Sequence, residues 1–209
     1  MKLLPYIFLA ALTASAFAAR YDQMTDNAKH LENASELIKA FAKEKEPERL
    51  REAAIELENV DLRRIYEAAP RRKMRAQTME AWLSLIQTID KNYDPNFDAA
   101  DVPAMKVMPP KLKDGTQLPP GADPKAIDDP QERREYEKSI AETRAKQERY
   151  LIQSQLAELS ETINTKFEAF IRRDYGQNTD DRNEVRAGIE KINNEARRAK
   201  LLLQLDLTS

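Results

Sequence analysis

Eight of the eleven prolines fall between Pro95 and Pro130, and the stretches on either side are almost free of proline. Proline lacks a backbone donor and its ring clashes with the preceding turn, so no long helix can cross such a window. The flanks are rich in Glu, Lys, Arg, Ala and Leu, the residues that favour helix. Only four glycines occur in 209 residues, two of them inside the proline window. That scarcity argues against a β-sandwich or barrel, whose many turns require glycine. The pattern predicts an all-α fold. An N-terminal helical bundle over 19–93 leads into a proline-rich extended connector over 94–128. A long C-terminal helical hairpin follows over 129–209, free to pack with the N-terminal region as one domain.

Apolar spacing supports the helices. Met24, Ala28, Leu31, Ala34, Leu37 or Ile38, and Phe41 recur at three- and four-residue steps. Pro47 suits the first turn of a second helix carrying Leu50, Ala53, Ala54 and Leu57. A short or kinked segment with Leu62, Ile65 and Tyr66 comes next. The stripe Met74, Met79, Trp82, Leu83, Ile86, Ile89 and Tyr93 follows Pro70, and Trp82 is the expected anchor of the N-terminal core. Asp129-Pro130-Gln131-Glu132 reads as a helix start, with Asp129 as cap. No proline or glycine then interrupts the chain before Gly176, which is expected to stop the helix in the left-handed conformation. A straight helix of that length would run roughly 65–70 Å, so part of it is expected to project or to pair with another chain as a coiled coil. Asp181 with Glu184 is expected to open one last helix carrying Val185, Ile189, Ile192, Ala196, Ala199 and Leu203. The run Leu201 to Leu207 fits the end of that helix better than a strand.

The first residues read as an address. Lys2, the apolar Leu3–Leu12 and the small-x-small pattern Ala16-x-Ala18 predict a signal peptide over 1–18, cut between Ala18 and Ala19. The protein is therefore expected to be exported, to the periplasm or the medium. Loss of Lys2 takes the formal net charge from −2 to −3, which gives no general attraction to nucleic acid.

Composition closes several chemistries. Without cysteine there is no disulfide framework, thiol nucleophile or Cys-ligated zinc or iron–sulfur site. His30 is the only histidine, so a His-rich metal site within one chain is impossible, and Lys29-His30-Leu31 reads as a helix surface. Asp94-Pro95-Asn96-Phe97-Asp98 begins like a calcium loop, but Ala99 replaces the required glycine and Met105 the final glutamate. A polar turn is the better reading. No cofactor and no small-molecule ligand is implied.

Two features remain for binding. Arg71, Arg72, Lys73 and Arg75, preceded by Arg63-Arg64, form the densest basic run, suited to an acidic partner or an anionic surface. In the connector, Val102, Met105, Val107 and Met108 alternate with prolines as an apolar arm for a partner or for the protein's own helices. The sequence therefore predicts an exported, non-catalytic helical binding or scaffold protein of the bacterial cell envelope, with a protein partner or self-association. Two alternatives stand beside it: a carboxylate-dependent peptidoglycan hydrolase, which needs only two acids held apart, and a peripheral membrane-surface protein using the basic run.

Overall fold

The computed structural model describes residues 4–97, 107–112, 115–176 and 178–207, with side chains from Gln23 onward. Among the described residues the chain is all-helical, with six α-helices and no strand. They are α1 (Leu4–Glu44), α2 (Pro47–Asn59), α3 (Ala68–Asn92), α4 (Pro130–Asp174), α5 (Thr179–Glu190) and α6 (Glu195–Leu207). No described helix is long and apolar enough to cross a membrane. The leader reading over 1–18 and its Ala18–Ala19 junction depend on side chains outside the described set.

Two compact units divide the chain: Met1–Tyr93 with Glu158–Ser209, and Asp94–Ala157. The first holds most of the core. Leu50, Ala53, Ala54 and Leu57 of α2 are all fully buried, as the spacing requires. On α1 the buried line passes through Asn27, Ala34 and Phe41, while Met24 and Ala28 face solvent. The start of the expected stripe is therefore turned away from the core, because a polar side chain occupies the inner position. The segment after α2 is no third helix. It is a turn that buries Val60, Leu62 and Ile65 and leaves Tyr66 exposed.

Trp82 is fully buried, but its partners differ from the expected N-terminal set. Its ring lies 6.3 Å from both Phe167 and Phe170 of α4, within the range of favourable aromatic contact. The three N-terminal helices do not close a core alone, because the largest apolar side chains that complete it come from the other end of the sequence.

The C-terminal hairpin also needs correction. The expected last helix breaks after Glu190 and restarts at Glu195. The Asn194 carboxamide accepts the Arg197 backbone N–H at 3.0 Å, the bond of a helix N-cap. The break changes the helical phase. Val185, Ile189 and Ile192 stay buried, whereas Ala196, Ala199 and Leu203 face solvent and Arg197 and Leu201 turn inward. The run 201–207 is helical.

Other helix ends follow local chemistry. Asp129 caps α4, accepting the N–H groups of Gln131 and Glu132 at 2.8 and 3.2 Å. Asn178, not Asp181, caps α5. Gly176 has no left-handed backbone; positive φ among the described glycines belongs to Gly115 and Gly121. Glycine serves at 176 because the Asp181 carboxylate accepts its N–H at 2.8 Å, and a Cβ there would meet the same oxygen at 2.8 Å.

In the second unit, the described connector residues fold back on themselves instead of running extended. Lys111 and Gln117 form an antiparallel bridge, and the Gly121 N–H returns to the Val107 carbonyl at 3.1 Å. Gly115 and Gly121, at φ of 84° and 79°, permit these turns. Tyr136 of α4 is buried beneath them and donates to the Val107 and Ala122 carbonyls. Arg133 chelates the Ile127 carbonyl. Prolines have no N–H to offer a neighbouring carbonyl, and α4 side chains supply donors to these connector carbonyls.

Candidate binding surface

The turn between α2 and α3 is pinned from two sides of the first unit. Asn27, fully buried on α1, donates to the Asp61 carbonyl at 2.8 Å and accepts the Asp61 N–H at 3.0 Å. Its carboxamide thus pairs with both backbone groups of one residue, as a strand neighbour would. From α4, Arg173 donates to the Glu58 and Val60 carbonyls at 3.0 and 2.7 Å. Beneath the turn, Val60, Leu62, Ile65 and Met74 form an apolar cluster with Leu31 against it.

This fixed turn carries Arg63 and Arg64 and leads into the basic run at the start of α3. Asp61 binds Arg63 through both carboxylate oxygens, at 2.9 and 3.1 Å, and that bond holds its carboxyl below the usual aspartate range. Arg64 stays about 72% exposed and Tyr66 74% exposed. Arg72 and Lys73, in the first turns of α3, are also exposed, whereas Arg71 is half-buried. No acidic residue occupies the first turn of α3, although Glu67 stands exposed at its N-cap beside Tyr66. This exposed stretch, with Arg63, Arg64 and Tyr66 on the turn and Arg72 and Lys73 on α3, is the basic ridge, and its Arg63 is already paired with Asp61. Spacing alone reads Tyr66 as part of a short or kinked segment. Its flanking arginines were the available signal for a surface role.

Arg75 does not join the ridge. Its guanidinium reaches Asp181 at 2.7 Å and Glu184 at 2.6 Å and lies 4.2 Å from the centre of the Tyr175 ring. The Tyr175 hydroxyl donates to Glu184 at 3.1 Å. Burial raises the Tyr175 hydroxyl above its ordinary range, and Glu184 beside it adds to the effect. Burial opposes the charge of Asp181, but the Gly176 N–H, Arg75 and Asn178 outweigh it and keep that carboxyl low. Arg75 therefore ties α3 to α5.

Of the connector arm, Val102 and Met105 lie outside the described residues. Val107 is half-buried and Met108 is 57% exposed. His30 is half-buried and joins α1 to α2, with Nδ1 2.6 Å from the Glu56 carboxylate, instead of lying on an open helix surface. Asp94 closes a polar turn, accepting the Asn96 N–H on its side chain and the Phe97 N–H on its carbonyl. Asp98 and Asp101 of the calcium-like segment are outside the described residues. Among described residues no group of three or more potential ligands is placed to hold a metal ion.

Comparison with protein-family models, curated proteins and solved structures finds no match to this chain.

Proposed function

We propose that this is an exported, non-catalytic helical binding protein of the cell envelope that docks on an acidic protein partner through the ridge at the start of α3. The observation that carries this reading is Tyr66, 74% exposed on a turn pinned by Asn27 and Arg173 and flanked by exposed cations. Tyrosine and arginine are the side chains most often found at the energetic centre of interfaces. A turn already held in place loses little entropy on binding. Two acidic groups of the first unit are engaged structurally, Asp90 by Arg197 and Asp181 by Arg75. That use favours binding over carboxylate catalysis.

The test is site-specific photocrosslinking from position 66 of the exported protein in intact envelopes. A discrete crosslinked partner is expected, lost in an Arg64→Gln/Arg72→Gln/Lys73→Gln variant and weakened by salt as an electrostatic contact must be. Crosslinks that are absent, or that persist unchanged in the variant, would defeat the proposal. A second reading follows from the same tyrosine, since tyrosine between cations also suits a lipid headgroup layer. Flotation with anionic phospholipid vesicles, abolished in the same variant, would replace the protein partner with a membrane surface.

A further inference from the structure

A cleft of about 720 Å³ opens between the C-terminal parts of α1 and α3 and the α5–α6 junction. It lies at the far end of α3 from the ridge: Lys91 follows Arg72 by 19 residues, or about 28 Å along the helix. Ile38 and Ala42 supply its accessible apolar surface, Phe41 being buried, Asn193 a polar edge, and Lys39, Lys45 and Lys91 its cations. One carboxylate lines it, Asp90, and that charge is neutralised by the bidentate Arg197. The cleft therefore has a net positive lining beside an apolar wall. The groove on the other side of α1 has the opposite character, with Glu36, Glu44, Glu52 and Glu56 around Arg49. Charge is sorted across α1 and not scattered.

Lys45 adds an independent observation. It is the only described non-glycine residue with positive φ, at 59°, and it closes α1 by donating its N–H to the Phe41 carbonyl. Glycine or asparagine would fill this left-handed position with less strain. A lysine there places its ammonium at the cleft, 3.3 Å from the Asn92 carboxamide oxygen and 5.5 Å from the centre of the Phe41 ring. Strained backbone of this kind gathers at ligand sites.

We propose that this cleft binds a small anionic ligand with an apolar portion, such as an aryl or acyl sulfonate, phosphate or carboxylate. The volume lies in the range of small-molecule sites, which pair an apolar lining with a few placed polar groups. The three ammonium groups select the anion, and Ile38 with Ala42 takes the apolar part.

The probe is 1-anilinonaphthalene-8-sulfonate, titrated into the full mature chain by fluorescence, with N-phenyl-1-naphthylamine as its uncharged counterpart. One saturable site is expected, with the uncharged probe at least tenfold weaker and inorganic phosphate competing. Lys39→Gln/Lys45→Gln/Lys91→Gln should weaken sulfonate binding by tenfold or more. Ala42→Phe, which fills the cleft while keeping the lysines, should weaken it similarly, and Arg72→Gln/Lys73→Gln should leave it unchanged. Circular dichroism and Trp82 emission verify the fold of each variant. Equal binding of both probes, or binding that survives either cleft variant, would overturn the proposal.

Discussion

Arg197 places all five guanidinium donors on partners inside the first unit. Asp90 of α3 takes two of them, and Ser160 and Asn164 of α4 take the others through a carbonyl, a hydroxyl and a carboxamide. An arginine that is 5% exposed opposite a carboxylate that is 9% exposed is tolerable only with such complete pairing. Arg197→Met should therefore destabilise by about 3–5 kcal/mol, because it strands the Asp90 charge, while adding Asp90→Leu should recover much of the loss. Urea unfolding of the two variants checks this, and equal stability of single and double variants would contradict it. Asp174 shows the reverse balance. Its side chain is fully buried, one oxygen bonds Arg173 at 2.8 Å and the other has no partner. Burial raises its carboxyl above 3.8 despite Arg173. A raised folded-state value favours folding below 3.8 and loses that contribution as pH rises through the folded value. Asp174→Asn should therefore melt higher than wild type at pH 7, with the gain vanishing below pH 3.8. Arg173 keeps its two carbonyl partners in that variant, so it is not left unpaired.

Helices, as elements, were the legible part of this fold. Proline placement located the ends of the flanking helical regions, and the α2 spacing named its buried residues correctly. What misled was phase. Asn193-Asn194 offered the signal for the break before α6, yet the apolar residues beyond it continue the earlier period, so a single helix looked consistent. Once Asn194 caps a new helix, Arg197 faces the core, a position where an arginine reads as solvated. Asn27 was hidden for the same reason, since its role depends on a peptide 34 residues away. Gly188 marks another tertiary effect: a Cβ there would stand 3.0 Å from the Met79 sulfur, so α5 approaches α3 where glycine permits it. The ridge was half legible. Its cations stood out in the sequence, but only the tertiary pairing with Asp181 and Glu184 separates the inward Arg75 from Arg72 and Lys73. The cap makes an element-level prediction: Asn194→Ala should cost about 1 kcal/mol. Faster amide exchange confined to the first turn of α6 would verify it, and unchanged exchange would show the break to be held by packing alone.

At the scale of the whole molecule, the two units differ in what holds them. The first buries Trp82, Phe41, Phe167, Leu50, Leu57 and many smaller apolar side chains, and it contains the Arg75 and Arg197 networks. The second relies on Ile127, Tyr136 and Leu156, the Phe97–Tyr150 ring pair at 5.2 Å and the carbonyls gathered by Tyr136 and Arg133. Local stability follows buried apolar contact, so the second unit should open first. The sequence supplies a clean reporter, because Trp82 is the only tryptophan and belongs to the first unit. Residues 130–157 of α4 fall in the second unit and contribute only helical signal. On heating, part of the far-ultraviolet helical signal should be lost before Trp82 emission shifts. Tyr136→Ala removes the centre of the second unit, a change that costs about 3–5 kcal/mol for a buried aromatic ring. It should lower the early transition and leave the Trp82 transition in place. Coincident transitions by both probes, moved together by Tyr136→Ala, would mean that the units fold as one cooperative body.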